Sequence, residues 1–123
     1  MVTAVEMHPR RAAGLRRRFP EVQVHEGDLA RFRWPTGPVR VVANPPFAGA
    51  GRLVDELLGL RSLVRADLVL ERSMALRVIE RRSAVRGVRL STTLRLPRSA
   101  FTPRPTVDAT VLTVLRVPGR RRR

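Results

Sequence analysis

The sequence has no cysteine among its 123 residues, which excludes disulfides and any cysteine-ligated metal. Its two histidines, His8 and His25, cannot hold a metal without carboxylate help. No helical stretch carries ligand spacing, so no metal site is expected. No apolar run is long enough to span a bilayer. Met1-Val2-Thr3 leads into a strand-like segment rather than a basic stretch followed by an apolar one, so no signal peptide is expected. Together these absences point to a soluble, cytoplasmic chain without membrane attachment. Acidic residues are scarce, with 10 Asp and Glu against 25 basic residues, and lysine is absent, so every basic residue is arginine.

What the chain has in excess is positive charge. The formal net charge is +15, and the isoelectric point is about 12.0. A field of that sign attracts polyanions, and nucleic acid is the commonest one a basic domain meets. Arginine grips phosphate through two parallel hydrogen bonds and stacks on bases, which suits RNA. A GC-rich coding sequence accounts for arginine in place of lysine, but not for the size of the imbalance. The length allows one domain with a modest core.

Along the chain, apolar strands alternate with helical stretches, the pattern of a parallel α/β sheet. Val2 to Glu6 reads as a short strand ending in an acid, and Pro9 opens a helix that runs to about Arg18. Val22 to His25 alternates as a second strand, followed by Glu26-Gly27-Asp28. Pro35, Gly37 and Pro38 mark a loop before the apolar run Val39 to Ala43, a buried strand. Gly49-Ala50-Gly51 reads as a turn, after which Leu53, Val54, Leu57, Leu58 and Leu60 recur at helical spacing. Ala66 to Leu70 is another buried strand ending in an acid, Glu71, and Arg72 to Arg82 is a second amphipathic helix. The β-rich runs Val88 to Leu96 and Asp108 to Val117 suggest an antiparallel pair at a sheet edge. Residues 1–118 are expected to form one partial catalytic domain. Gly119 and Arg120 to Arg123 read as a basic disordered tail.

Asn44-Pro45-Pro46-Phe47 is the most specific segment. It directly follows a buried strand, and open α/β sheets bind ligands beyond the carboxyl ends of their strands. Methylating the exocyclic amine of adenine needs a device of this kind, because the amine's lone pair is delocalised into the ring. A side-chain amide oxygen on Asn44 and the carbonyl of Pro45 can hold both amine hydrogens and fix the nitrogen toward a methyl donor. The two prolines stiffen the corner. Phe47 offers a flat face for a base, worth about 1–3 kcal/mol.

The segment matches the (Asp/Asn)-Pro-Pro-aromatic signature of amino-group methyltransferases. More of the chain resembles the rRNA adenine N6-methyltransferases, the group of erythromycin-resistance methylases and dimethyladenosine transferases. Val2 to Glu6 looks like that family's second strand, and Gly27-Asp28-Leu29 like the segment that meets the cofactor's adenine. Phe101-Thr102-Pro103-Arg104-Pro105-Thr106-Val107-Asp108 resembles its Phe-x-Pro-x-Pro-x-Val loop. The resemblance implies a Rossmann-like, S-adenosylmethionine-dependent fold with a mostly parallel sheet, and rRNA as partner. It implies that Glu6 holds the cofactor's ribose, that Asp28 and Leu29 meet its adenine, and that Asn44 serves cofactor and substrate alike. The target adenine would lie between Phe47 and Phe101. Arg10, Arg11, Arg16, Arg17, Arg18 and Arg104 are candidate RNA contacts.

The chain departs from this pattern ahead of Glu6, where neither the family's first strand nor its glycine-rich loop is present. The small helical domain after the last strand is missing too. A partial catalytic domain that is inactive alone is therefore expected, monomeric when complete. Large-subunit rRNA methylation of the macrolide-resistance type is favoured over the housekeeping type by Leu90-Ser91-Thr92-Thr93-Leu94-Arg95 and the arginine-rich surface. The alternatives are a DNA adenine methyltransferase, which shares Asn-Pro-Pro-Phe but not the later loop, and a non-catalytic basic RNA-binding remnant.

Overall fold

The structure, a computed structural model, describes residues 1–82 and 84–118; the side chain of Phe47 lies outside the described set. The basic tail expected over Gly119 to Arg123 also lies outside the described residues. The fold is α/β. Strands β1 (Thr3–Glu6), β2 (Gln23–Glu26), β3 (Val39–Ala43), β4 (Leu63–Glu71), β5 (Val88–Leu96) and β6 (Ala109–Arg116) alternate at first with helices α1 (Pro9–Arg18), α2 (Phe47–Gly59) and α3 (Arg72–Arg82). Short 3-10 turns occupy Leu29–Arg31 and Arg98–Ala100. The chain divides into two compact units, Met1–Trp34 and Pro35 onward. The reason lies in the pairing: β1 and β2 form a sheet of their own, and the other four strands form a second one.

In the first unit, β1 and β2 run parallel in register from Thr3 opposite Gln23 to Glu6 opposite Glu26. Parallel neighbours need a crossover, which α1 supplies. Pro9 sits in its first turn, and Nδ1 of His8 accepts the Arg10 N–H at 3.2 Å to cap it. Arg16, Arg17 and Arg18 fill the last turn, where the helix dipole favours cations. His25 of β2 meets Phe32 edge to face, and Phe32 meets Trp34 likewise, with ring centroids 5.4 Å and 5.2 Å apart.

The second unit is a four-stranded sheet in the order β3-β4-β6-β5. β3 and β4 are parallel, whereas β6 is antiparallel to both β4 and β5. The antiparallel edge pair expected from the last two β-rich runs is thus present. Strand alternation splits the side chains between two faces. Ala66, Leu68 and Leu70 of β4 and Leu112 and Val114 of β6 are buried with Ala50, Leu53, Val54, Leu57 and Leu58 of α2 and Ala75 of α3. That layer is the hydrophobic core. Arg65, Asp67 and Thr113 alternate onto the opposite face.

Two element boundaries differ from the pattern-based expectation. Gly49-Ala50-Gly51 is not a turn but the start of α2, which begins straight after Pro46. Ala50 is buried there, and Gly51 faces Met74 of α3, where a β-carbon would make an ordinary contact with Cε at 3.6 Å. β4 begins three residues before Ala66, because Arg65 interrupts the apolar run without interrupting the strand: its side chain lies on the face opposite the core, bonded to Asp67.

Candidate functional site

Both acids singled out in the first unit stand at the carboxyl ends of its parallel strands. Glu6 closes β1, and its carbonyl accepts the Gly27 N–H at 3.0 Å, so Asp28 follows directly alongside. One carboxylate oxygen of Glu6 accepts the His8 N–H at 3.1 Å, and Arg11 lies 3.7 Å from the same oxygen. Oδ1 of Asp28 accepts the Ala30 N–H at 2.9 Å and thereby caps the 3-10 turn that carries half-buried Leu29. In each acid these local bonds engage one oxygen, so both carboxylates are oriented by the chain while the second oxygen remains an acceptor. Glu6, Asp28 and Leu29 are therefore brought together at one strand end.

In the second unit, β3 ends at Ala43 and the chain turns through Asn44-Pro45-Pro46 into α2. Pro46 occupies the N-cap with extended dihedrals and no side-chain cap bond. Its fixed φ suits a turn that must leave a strand and enter a helix at once. Asn44 is exposed, with no hydrogen bond to its side-chain amide among the described residues, and Pro45 is half-buried. Phe47 is the first residue of α2.

Phe101 ends the 3-10 turn Arg98–Ala100 and is half-buried; its N–H donates to the Arg98 carbonyl at 3.2 Å. The strand register places this loop at the same sheet end as Asn44, since Ala43 pairs with Leu68 while Ala109 pairs with Glu71 further along β4. Asp108 anchors the far end of the loop. It accepts from Nε of Arg98 at 3.2 Å, lies 3.7 Å from Arg95, and gives its carbonyl to the Arg72 N–H at 2.8 Å.

The candidate RNA-contacting arginines divide. Arg11 and Arg16 are paired with Glu6 and Glu26, both at 3.7 Å, and Arg18 lies over the Phe19 ring at 5.5 Å. Arg10, Arg17 and Arg104 are exposed. Among the described residues no group of three or more His, Cys, Asp or Glu could hold a metal, and no helix is long and apolar enough to cross a membrane.

Sequence reasoning missed a polar chain on the sheet face opposite the core, where Thr113 is buried. Arg65 donates twice to Asp67, at 2.9 Å and 3.2 Å; Thr113 donates to Asp67 at 2.8 Å; and Thr93 lies 2.8 Å from the Thr113 hydroxyl. The hydrogen bond from Arg65 holds the Asp67 carboxyl below its ordinary range, against the opposing effect of burial and with help from Thr113. The same bond, with the carboxylate's charge, raises the Arg65 guanidinium further. Arg-x-Asp on a strand was its only sequence signal.

No family model matches the chain. Its fold is a partial Rossmann-like α/β fold. It superposes on the crystal structure of the 23S rRNA methyltransferase ErmE with a TM-score of 0.81 at 23% identity, over 94% of this chain and 52% of that one. A dimethyladenosine transferase from Plasmodium falciparum matches with a TM-score of 0.76 at 21% identity, over 94% and 47%. By sequence, the chain is similar over most of its length to curated rRNA methyltransferases. It is 32% identical to the mycinamicin-resistance protein MyrB of Micromonospora griseorubida, over 94% of this chain and 40% of MyrB. It is 30% identical to an rRNA adenine N-6-methyltransferase of Corynebacterium diphtheriae, over 94% and 49%. Ribosomal RNA small subunit methyltransferase A of Salinibacter ruber is also 30% identical, over 92% and 44%. The chain thus spans somewhat less than half the length of the curated relatives it matches.

Proposed function

We propose that these residues are the adenine-holding and part of the cofactor-holding portion of an S-adenosylmethionine-dependent rRNA adenine N6-methyltransferase. The observation that carries this reading is the Asn-Pro-Pro corner between β3 and α2, which leaves the Asn44 amide exposed and without a partner among the described residues. Asn44 Oδ1 and the Pro45 carbonyl accept the two hydrogens of an adenine amine. Phe47 and Phe101 supply the stacking faces. Taking the base out of its stack costs a few kcal/mol, which an unpaired target lowers.

The cofactor residues fit their assignment. Glu6 and Asp28 each keep a carboxylate oxygen that the local backbone does not use, suited to ribose hydroxyls and to an adenine amine. Bound S-adenosylmethionine would supply an electrophilic methyl group. No carboxylate is assigned as a base, because the amine becomes acidic only after it has gained the methyl. The resistance type is favoured over the housekeeping type by the 32% identity to MyrB and by the TM-score of 0.81 with ErmE.

The test is methyl transfer from labelled S-adenosylmethionine to rRNA. It uses a chimera in which these residues replace the aligned segment of MyrB, since that protein supplies the portions the chain does not align with. The chimera should label rRNA and not duplex DNA. Asn44→Ala should lower kcat by about 100-fold or more while leaving RNA affinity unchanged. A folded Asn44→Ala chimera that labels rRNA as well as the unsubstituted one rejects the assignment.

A further inference from the structure

We propose that the end of the four-stranded sheet opposite the Asn-Pro-Pro corner binds the phosphodiester backbone of RNA, with Arg61 and Arg116 as its seat. This rests on the reading of RNA as substrate but assigns a second, separate contact surface. The strand register defines the place. Val39, Leu63 and Val88 begin β3, β4 and β5 at this end, and Arg116 ends β6 there, opposite Val88. The corner at Asn44 stands at the far end of β3, about 15–20 Å away for a strand of this length.

The local charge has one sign. Arg40, Arg61, Arg86, Arg89 and Arg116 lie in the segments 35–40, 59–64, 84–89 and 114–118 that make this end, and those segments contain no Asp or Glu. None of the five forms an ion pair among the described residues, whereas Arg11, Arg16, Arg65, Arg82, Arg95 and Arg98 all do. A hollow of about 430 Å³ opens here, lined by Thr36, Pro38, Arg61, Ser62, Leu63 and Arg116 among others.

Arg116 is held in place in advance. Its Nη2 donates to the carbonyls of Leu58 at 3.3 Å and Leu60 at 2.7 Å at the end of α2, while its buried Nε has no partner among the described residues. A guanidinium fixed by backbone carbonyls keeps its full charge and loses little freedom when an anion arrives. Phosphate is the anion that suits it, because arginine matches phosphate geometry and several unpaired arginines in a row match a repeating polyanion. An isolated small anion would satisfy one of them and leave the others unbalanced.

The test compares salt dependence of binding to a single-stranded RNA oligonucleotide by fluorescence anisotropy, using the full chain. Arg116 also caps α2, so the main variant leaves it intact and combines Arg61→Gln, Arg86→Gln and Arg89→Gln. A control that removes the same charge elsewhere in the second unit combines Arg52→Gln, Arg72→Gln and Arg77→Gln, exposed arginines of α2 and α3. The slope of log Kd against log salt should fall by about 2 in the first variant, near 0.7 per lost contact, and stay near the wild-type value in the control. Equal changes in both variants would show a diffuse field and overturn the proposal.

A second readout follows the Nε–H signal of Arg116 by NMR, identified by its loss in Arg116→Lys. RNA should shift it and inorganic phosphate should shift it far less. No shift with bound RNA removes Arg116 from the seat, and an equal shift with phosphate alone makes the hollow a free-anion site. RNA bound with an unaltered slope in the first variant rejects this surface alone and leaves the methyl-transfer reading intact. A chain that binds no RNA rejects this surface, while the methyl-transfer reading is decided by the chimera alone.

Discussion

Asp67 shows how much a single residue on the sheet face opposite the core contributes. Its carboxylate accepts from Arg65 and Thr113 together, so its folded-state pKa lies below the unfolded one. A depressed carboxyl stabilises the fold fully above its unfolded pKa, about 4. That contribution fades as pH falls through the lower folded value. Urea midpoints measured from neutral pH down to pH about 3 should therefore drop more steeply for the wild type than for Asp67→Asn. Thr113→Val keeps shape but removes the hydroxyl that links Asp67 to Thr93, at a cost of about 1–2 kcal/mol in urea unfolding. At the candidate site, Glu6 and Asp28 were singled out by family resemblance, and strand periodicity by itself places only Glu6 at the end of a strand, with Asp28 two residues beyond β2. Their bonds to the N–H groups of His8 and Ala30 were not legible, since they depend on side-chain rotamers that residue order does not specify.

At the level of elements, α1, β3, α3 and β5 run as hydrophobic periodicity and proline placement predict. The errors have physical causes. Glycines at 49 and 51 signal a turn by local propensity, yet they lie in the first turns of α2, which buries Ala50, Leu53 and Val54 in the core, a tertiary effect that outweighs propensity. β4 is longer than its apolar run because one face of its sheet carries polar partners for Arg65 and Asp67. α2 depends on the core layer it shares with β4 and β6. Leu57 is fully buried, and Leu57→Ala should cost about 2–5 kcal/mol by chemical denaturation, with α2 losing the most order. Exposed Leu94 on the edge strand β5 offers the contrast: Leu94→Thr should change stability by no more than about 0.5 kcal/mol.

For the molecule as a whole, division into two units was not legible, because it depends on which distant strands pair and not on local pattern. The two sheets differ in what protects them. β4 and β6 each have a neighbour on both sides, while among the described residues β1 and β2 pair only with each other. Amide hydrogen exchange should therefore be slowest in β4 and β6 and fastest among strands in β1 and β2. Uniform protection across all six strands would contradict the division. β3 has β4 on one side only among the described residues, and Val42 on it is 85% exposed. A rim of unsatisfied amides beside a bare isopropyl group can template further strands. Concentrated solutions should accordingly scatter light through rim-to-rim stitching of molecules, and Val42→Lys should keep them clear.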